Sequence, residues 1–443
     1  MLKRAGHEVA WLDGIAEEWD EGRFLRELAS FHPDFVVMET KTPVVKRHWA
    51  WTAKIKDALP GVKVVMVGDH VTAMPEETME AAQVDYILTG GDWDFLLDGL
   101  LKGISEAVPE DFVPKEAGIW YRRGGEIANT GPFRLDHDLN DAPRIDRDLV
   151  KWRMYCVRNG NFRRTPGTYI MSGRDCWHGR CTFCSWTTLY PKYRTRSVKS
   201  VVDEIEDLVG RYGVKEIMDD TGSFPAGAWL RAFCNEMISR GLNRKVRIDC
   251  NMRFGRLSAE EYALMRKAGF RLVLFGVESA NQSTLDRLVK ALKVEDVEKG
   301  AEAASKAGLD VHLTFMFGYP WEGKDEIAKT VALARRLLAN GWASTLQCTM
   351  TIPYPGTPLF KELAASGGLT TLDWDEYDMR RQIMKTPLAT EDEIKAAIRD
   401  VYRGFLQPRA LLRRFSSTRT LFDFRFYYRG IRSLIGHLAD FRR

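Results

Sequence analysis

From residue 8 to about 105, short β-branched runs alternate with segments whose apolar residues recur at helical spacing. EVAWLD (8–13), DFVVME (34–39), KVVMVGD (63–69) and YILTG (86–90) read as strands, and 46–58 reads as one of the helices between them. Alternation of this kind predicts a parallel α/β sheet with helical crossovers. The predicted strand ends carry Thr40, Thr42, Gly68, Asp69, His70, Gly90 and Gly91. These are small or polar residues at the positions where open parallel sheets bind ligands. Residues 106–165 break the rhythm with a β-like run (GIWYRRGGEI), a turn-rich stretch (LNDAPRID) and a basic one (FRRTPG), which predicts a connector packed between domains.

A second alternation occupies 166–365. Strands are predicted over 168–172, 214–218, 245–250, 271–277, 310–316 and 344–350, and six βα units make a partial (β/α)6 barrel. Ser258 and Glu261 form a capping box, and Val201, Val202, Ile205, Leu208 and Val209 form one apolar stripe that ends at Gly213. The predicted fold class is therefore α/β: a Rossmann-like domain (1–105), a connector (106–165), a partial barrel (166–365) and a helical C-terminal region (366–443). The tail turns basic and aromatic, with Phe422, Phe424, Phe426, Tyr427 and Tyr428 beside Arg425 and Arg429. At helical spacing these read first as packing that closes the barrel's side or bottom, and second as a pocket wall or a lipid-facing surface.

A length of 443 residues supports two or three domains at ~100–200 residues each. With 65 basic against 61 acidic residues, composition demands neither nucleic acid nor a membrane surface. No window reaches the ~18 apolar residues of a membrane span, and no apolar core follows the first charges, so a cytoplasmic protein is expected. Seven cysteines are too few for a disulfide framework, and three of them crowd together, which reads as metal chemistry in a reducing compartment.

Those three lie in MSGRDCWHGRCTFCSW (171–186), directly after the first barrel strand, as C-x4-C-x2-C: Cys176, Cys181 and Cys184. Short spacings let one loop wrap one metal centre, and three thiolates leave open the fourth position that a cubane would otherwise fill. A structural zinc would need His178 as a fourth ligand, and an electron-transfer cluster would need Cys156, Cys234, Cys250 or Cys348. Otherwise those four read as small buried apolar side chains. Barrel chemistry sits at the C-terminal ends of strands. There the sequence places Asp219 and Asp220, then Asn251 and Arg253, then Glu278 and Ser279, then 318–322 with Gly318 and Glu322. Each has a plain alternative as a helix cap or a surface charge.

The cysteine segment resembles the radical S-adenosylmethionine (SAM) superfamily, whose usual motif is C-x3-C-x2-C with an aromatic before the last cysteine, here Phe183. This loop carries one extra residue. The resemblance implies a [4Fe-4S] cluster on Cys176, Cys181 and Cys184 whose open iron binds the amino and carboxylate groups of SAM, and whose electron cleaves the sulfonium to a 5′-deoxyadenosyl radical. It further implies SAM contacts from Phe183, Asp219, Asp220, Arg253, Glu278, Ser279, Gly318 and Glu322. Carboxylates and amides suit the ammonium and ribose hydroxyls, and an arginine suits the carboxylate.

IMDDTGSF, CNMRFGRLSAEEYALMRKAGF, LFGVESANQSTLDRL, FMFGYPWEG and IPYPGTPLF are similar above all to the subgroup with an N-terminal B12-binding domain. Anaerobic magnesium-protoporphyrin monomethyl ester cyclases, hopanoid-associated enzymes and cobalamin-dependent methylases exemplify it. That implies cobalamin near Thr40, Thr42, Gly68, His70, Gly90 and Gly91. The chain departs from the pattern in two ways. It lacks the D-x-H-x-x-G signature, so His70 is expected to be a loop histidine satisfied by backbone, and the expected opening strand and most of the first helix do not precede EVAWLD: either the start was assigned late, or the chain is shortened, which would expose a sheet edge and weaken the cofactor site. The expected activity is cobalamin-dependent methylation of an unactivated carbon, with cyclisation or oxidative rearrangement second. A radical SAM enzyme without cobalamin and a non-catalytic Fe–S or zinc protein are the alternatives. The expected partners are a small-molecule or lipid-like substrate and an electron donor such as flavodoxin or ferredoxin, with no nucleic acid.

Overall fold

The computed structural model describes residues 1–106, 112–158, 162–406, 422–426 and 428–430. Strands β1 (Phe35–Thr40), β2 (Lys63–Gly68) and β3 (Tyr86–Leu88) run parallel, with Phe35 opposite Lys63 and Val65 opposite Tyr86. Alternation along β2 sends Val64 and Met66 into one core with Leu28, Ile55 and Met79, and Val65 and Val67 into another with Leu96, Leu97 and Leu100. The helices Val45–Ala58 and Trp93–Glu106 supply those two cores, so both faces are covered, as a parallel sheet requires.

Two expectations change here. Part of the segment read as a connector extends this sheet: β4 (Ile119–Arg123) pairs antiparallel with β3, and β5 (Glu126–Asn129) pairs with β4. Gly124 and Gly125, both at positive φ (59° and 89°), form the two-residue turn that closes such a hairpin, while Ile119 and Tyr121 bury against the sheet. EVAWLD, in contrast, forms no strand. The outer edge of β1 has no neighbour among the described residues, and an extended run without a ladder partner leaves its amides to water. Leu12 alone keeps its place against the core.

The second sheet holds six parallel strands in chain order: β6 (Gly167–Ile170), β9 (Glu216–Asp219), β10 (Arg247–Met252), β11 (Phe270–Glu278), β12 (Asp310–Phe317) and β13 (Thr345–Met350). Each lies within two residues of its predicted span, because the apolar runs and the helical stripes between them agree. A short hairpin, β7 (Gly173–Arg174) with β8 (Arg194–Thr195), rises from the end of β6 and brackets the cysteine loop. The helix Val198–Tyr212 buries Val201, Val202, Ile205 and Leu208 and stops at Gly213 (φ 67°), and Ser258 with Glu261 forms the capping box of Ala259–Lys267. Cys234, Cys250 and Cys348 pack in the barrel core, and Cys156 is buried as well.

The helix Glu391–Arg403 packs on Lys324–Asn340 along the barrel's side through Ile394, Ile398 and Val401. Of the aromatic tail, Asp423 accepts from Arg163 Nε at 2.6 Å, and Arg271 stands 5.8 Å over the Phe426 ring, which places this piece at the N-terminal end of the barrel. Tyr427 lies outside the described residues. No described helix is long and apolar enough to cross a membrane.

Candidate active site

The cysteine loop leaves β7 at Asp175, an aspartate in the left-handed region (φ 75°), which short polar side chains tolerate. Burial pushes the Asp175 carboxyl up to about 7, offset only in part by the Cys176 N–H. Cys176 Sγ lies 3.0 Å from Ser223 Oγ, whereas Cys181 is buried with Arg253 Nη1 3.9 Å from its sulfur. Burial, then the adjacent Cys181, pushes the Cys184 thiol up to about 12. Burial raises Cys181 too, against the pull of Lys290 and Arg253.

Among the described residues, no three His, Cys, Asp or Glu side chains stand close enough to grip a metal ion. The donor chemistry nevertheless suits an iron–sulfur cluster: three thiols share one loop, and two cations lie close to a thiol that burial would keep protonated. His178 stands in this loop with Nε2 2.6 Å from Val289 O.

The strand ends place the other expected residues in two groups. Some are consumed by the protein. Asp219 accepts from Ser172 N at 3.1 Å, from the Ser172 hydroxyl and from Thr221 Oγ1 at 2.6 Å, which ties the ends of β6 and β9 together. Glu322 accepts from Ser279 Oγ and Thr284 Oγ1, each at 2.6 Å, and from Asn281 Nδ2 at 3.2 Å, so Ser279 and Glu322 sit in one closed network. Gly318 (φ 91°) lets Gln382 approach, its carbonyl accepting from Nε2 at 3.1 Å. Others lie outside these networks. Burial pushes the Asp220 carboxyl up, countered by Asn251 and by Lys41 of the N-terminal domain. Arg253 lies 5.3 Å over the Trp177 ring, and Glu278 (φ 68°) accepts from Lys290 Nζ at 2.6 Å. Phe183 lies 5.8 Å beneath that ammonium.

The C-terminal edge of the first sheet faces these residues. Gly68 (φ 120°) has no room for a side chain, since a Cβ would fall 2.2 Å from Thr40 O. Gly90 (φ 80°) donates its N–H to Thr72 Oγ1 at 3.0 Å. Gly91 donates to Leu189 O at 2.9 Å, and a Cβ there would strike Tyr190. His70 differs from its expectation: it sits in the helix Asp69–Ala73, with Nδ1 3.3 Å from Thr42 Oγ1 and its ring edge-on to Trp49 and Trp374. Burial lowers its pKa to about 4, so it stays neutral. Thr40 Oγ1, Thr188 Oγ1 and Trp49 Nε1 are buried near this edge without hydrogen-bond partners. Orphaned buried polar atoms ask for a polar ligand or water, and a corrinoid rimmed by amides answers that need.

Sequence reasoning missed the clamp that joins the halves. Asp92, 1% exposed, accepts from Arg174 Nη1 at 2.6 Å and from both terminal nitrogens of Arg194 at 2.7 Å, and Arg174 also reaches Asp94 Oδ2 at 2.6 Å. Burial alone would raise the Asp92 carboxyl, but Arg194 and Arg174 hold it below its ordinary value. The available signal was positional: Arg174 and Arg194 flank the cysteine loop, and Asp92 follows Gly90 and Gly91. Lys290 had no such signal.

A family model described as the Radical SAM superfamily matches residues 170–334, and one described as a B12 binding domain matches residues 1–92. An uncharacterised methyltransferase of Pyrococcus horikoshii is 28% identical over 420 residues, 93% of this chain and 87% of that one. The cytidylyl-2-hydroxyethylphosphonate methyltransferase of Streptomyces wedmorensis is 32% identical over 370 residues, 72% of this chain and 67% of the relative. Among solved structures, the radical SAM methyltransferase TsrM of Kitasatospora setae, with cobalamin and a [4Fe-4S] cluster bound, matches with a TM-score of 0.71 at 17% identity, covering 99% of this chain and 94% of that one. That last likeness is one of fold.

Proposed function

The chain belongs to the radical SAM superfamily, among the enzymes that carry an N-terminal B12-binding domain, and from that premise we propose that it methylates an unactivated carbon of a small or lipid-like substrate. The family's cofactors are a [4Fe-4S] cluster, SAM and cobalamin; when bound, the first supplies the electron that cleaves SAM and the last a transferable methyl group.

Cys176, Cys181 and Cys184 would hold the cluster. Arg253, beside Cys181, would take the SAM carboxylate, and Asp220 and Glu278 would receive its ammonium or ribose hydroxyls. Asp219, Ser279 and Glu322 act one step back, fixing the strand ends from which those groups project. Thr40, Thr42, Gly68, Gly90 and Gly91 would line the corrinoid, with His70 as a neutral wall residue. A flavodoxin or ferredoxin would deliver the electron.

The observation that carries this reading is the Asp92 clamp. It seats the ligand-binding edge of the first sheet against the hairpin that brackets the cysteine loop, and transfer between two cofactors needs that relation held within about an ångström. The test is anaerobic reconstitution with hydroxocobalamin, comparing wild type with Asp92→Ala. Stoichiometric corrinoid in both proteins is expected, with SAM cleavage retained and methyl transfer lowered at least tenfold in the variant. A cluster-loaded wild type that binds no corrinoid would keep the radical enzyme and discard the methylase.

A further inference from the structure

Three successive carbonyls after the helix Gln282–Arg287 are each tied to the cysteine loop or to the arginine beside it. Thr182 N donates to Leu288 O at 3.0 Å, His178 Nε2 to Val289 O at 2.6 Å, and Arg253 Nη2 to Lys290 O. Within this segment the backbone enters the left-handed region twice without glycine, at Val289 (φ 51°) and Ala291 (φ 49°). An L-residue pays about 1–2 kcal/mol there, and a β-branched one is a genuine outlier. Val289 is 42% exposed, so its own burial offsets little of that cost.

Between the two strained residues stands Lys290, buried, with Nζ 2.6 Å from Glu278 Oε1. Room is made for the pair at Gly276, where a Cβ would fall 2.3 Å from the Glu278 carboxylate and 2.7 Å from the ammonium. The positive end points over Phe183, which lies between Cys181 and Cys184 in the chain. A buried ion pair is weak grounds for stability, since apolar replacements often serve as well. Strain persists only where its surroundings enforce it, and it gathers at functional sites.

We propose that the 288–291 segment is a collar supporting the cysteine loop, and that Lys290 is a positioning residue that makes the iron–sulfur centre easier to reduce. The proposal rests on Cys176, Cys181 and Cys184 being the cluster ligands. Reduction adds one negative charge to a thiolate-bound centre, and an ammonium in a water-poor setting stabilises that charge. Glu278 opposes the effect from the far end of the pair. One electron enters, no bond forms or breaks, and Lys290 keeps its protons.

The experiment is an EPR-monitored titration of the reconstituted protein with dithionite and redox mediators, without SAM, on wild type, Lys290→Gln, Lys290→Arg and Glu278→Gln. At the wild-type midpoint, Lys290→Gln should show a reduced-to-oxidised ratio about tenfold lower, a 59 mV downward shift for one electron. Lys290→Arg should stay near wild type, and Glu278→Gln should move upward. A Lys290→Gln protein with full iron and sulfide that titrates like wild type overturns the proposal. Should that variant fail to assemble, an unshifted Glu278→Gln overturns it equally. A wild type that forms no cubane refutes the ligand assignment beneath it, a distinct and visible failure.

Discussion

The two ends of the barrel hold buried charge on opposite terms. At the N-terminal end, Arg271 reaches Glu216 at 2.9 Å, Asp249 at 2.5 Å and Asp310 at 3.3 Å, and Glu216 also accepts the N–H groups of Arg163 and Arg164. Burial alone would lower the Arg271 pKa, yet those carboxylates hold it above its ordinary value. At the C-terminal end Asp175 is buried with its carboxyl raised to about 7, and Glu278, Val289 and Ala291 stand at positive φ. The bottom gathers its carboxylates around one arginine, whereas the cysteine-loop end keeps an unpartnered carboxyl and backbone strain beside its own Glu278–Lys290 pair.

The contrast can be broken from either end. The largest effect belongs to Cys184→Ala, which should abolish both cluster and activity while leaving the fold intact, as visible absorption and circular dichroism would show. Arg271→Met should leave the activity site untouched but strand buried carboxylates, costing about 3–5 kcal/mol in urea unfolding of the cluster-free protein. Acid should act on two enclosed histidines, one of them half-buried. Burial lowers both His312, near the barrel bottom, and His70 to about 4. A depressed pKa gives stability that is complete above the unfolded value of about 6.5 and is lost as pH falls toward 4, roughly 2 kcal/mol for each histidine at pH 5. Unfolding midpoints at pH 7 and pH 5 measure this, and His312→Gln should flatten its share. Asp175→Asn should have the opposite sign from the bottom substitutions, stabilising the cluster-free protein by about 2 kcal/mol at pH 8. Its raised pKa means that the fold favours the protonated acid, so the gain should shrink as pH falls through 7 toward 4.

Much of this was legible in the chain because it rests on local pattern. Six barrel strands follow from β-branched runs and capped helices, and the cysteine loop follows from spacing. EVAWLD misled because a strand is made by its neighbour as much as by its own residues. The 118–127 run was undervalued because its Gly-Gly turn marked a hairpin within what looked like a connector. At the mouth, residue type identified the polar set but could not separate Asp219 and Glu322, consumed by hydroxyls, from Asp220 and Arg253. Asp92 carried only a positional hint and Lys290 none, since their meaning lies in partners 82 and 12 positions away in sequence and in backbone strain that no periodicity encodes.

The most direct test of the central claim is the EPR spectrum of the anaerobically reconstituted, reduced protein with and without SAM. A cubane signal whose shape changes on adding SAM is predicted, because three cysteines leave one iron open to that ligand. A protein that forms no cubane, or one whose signal ignores SAM, would contradict the account.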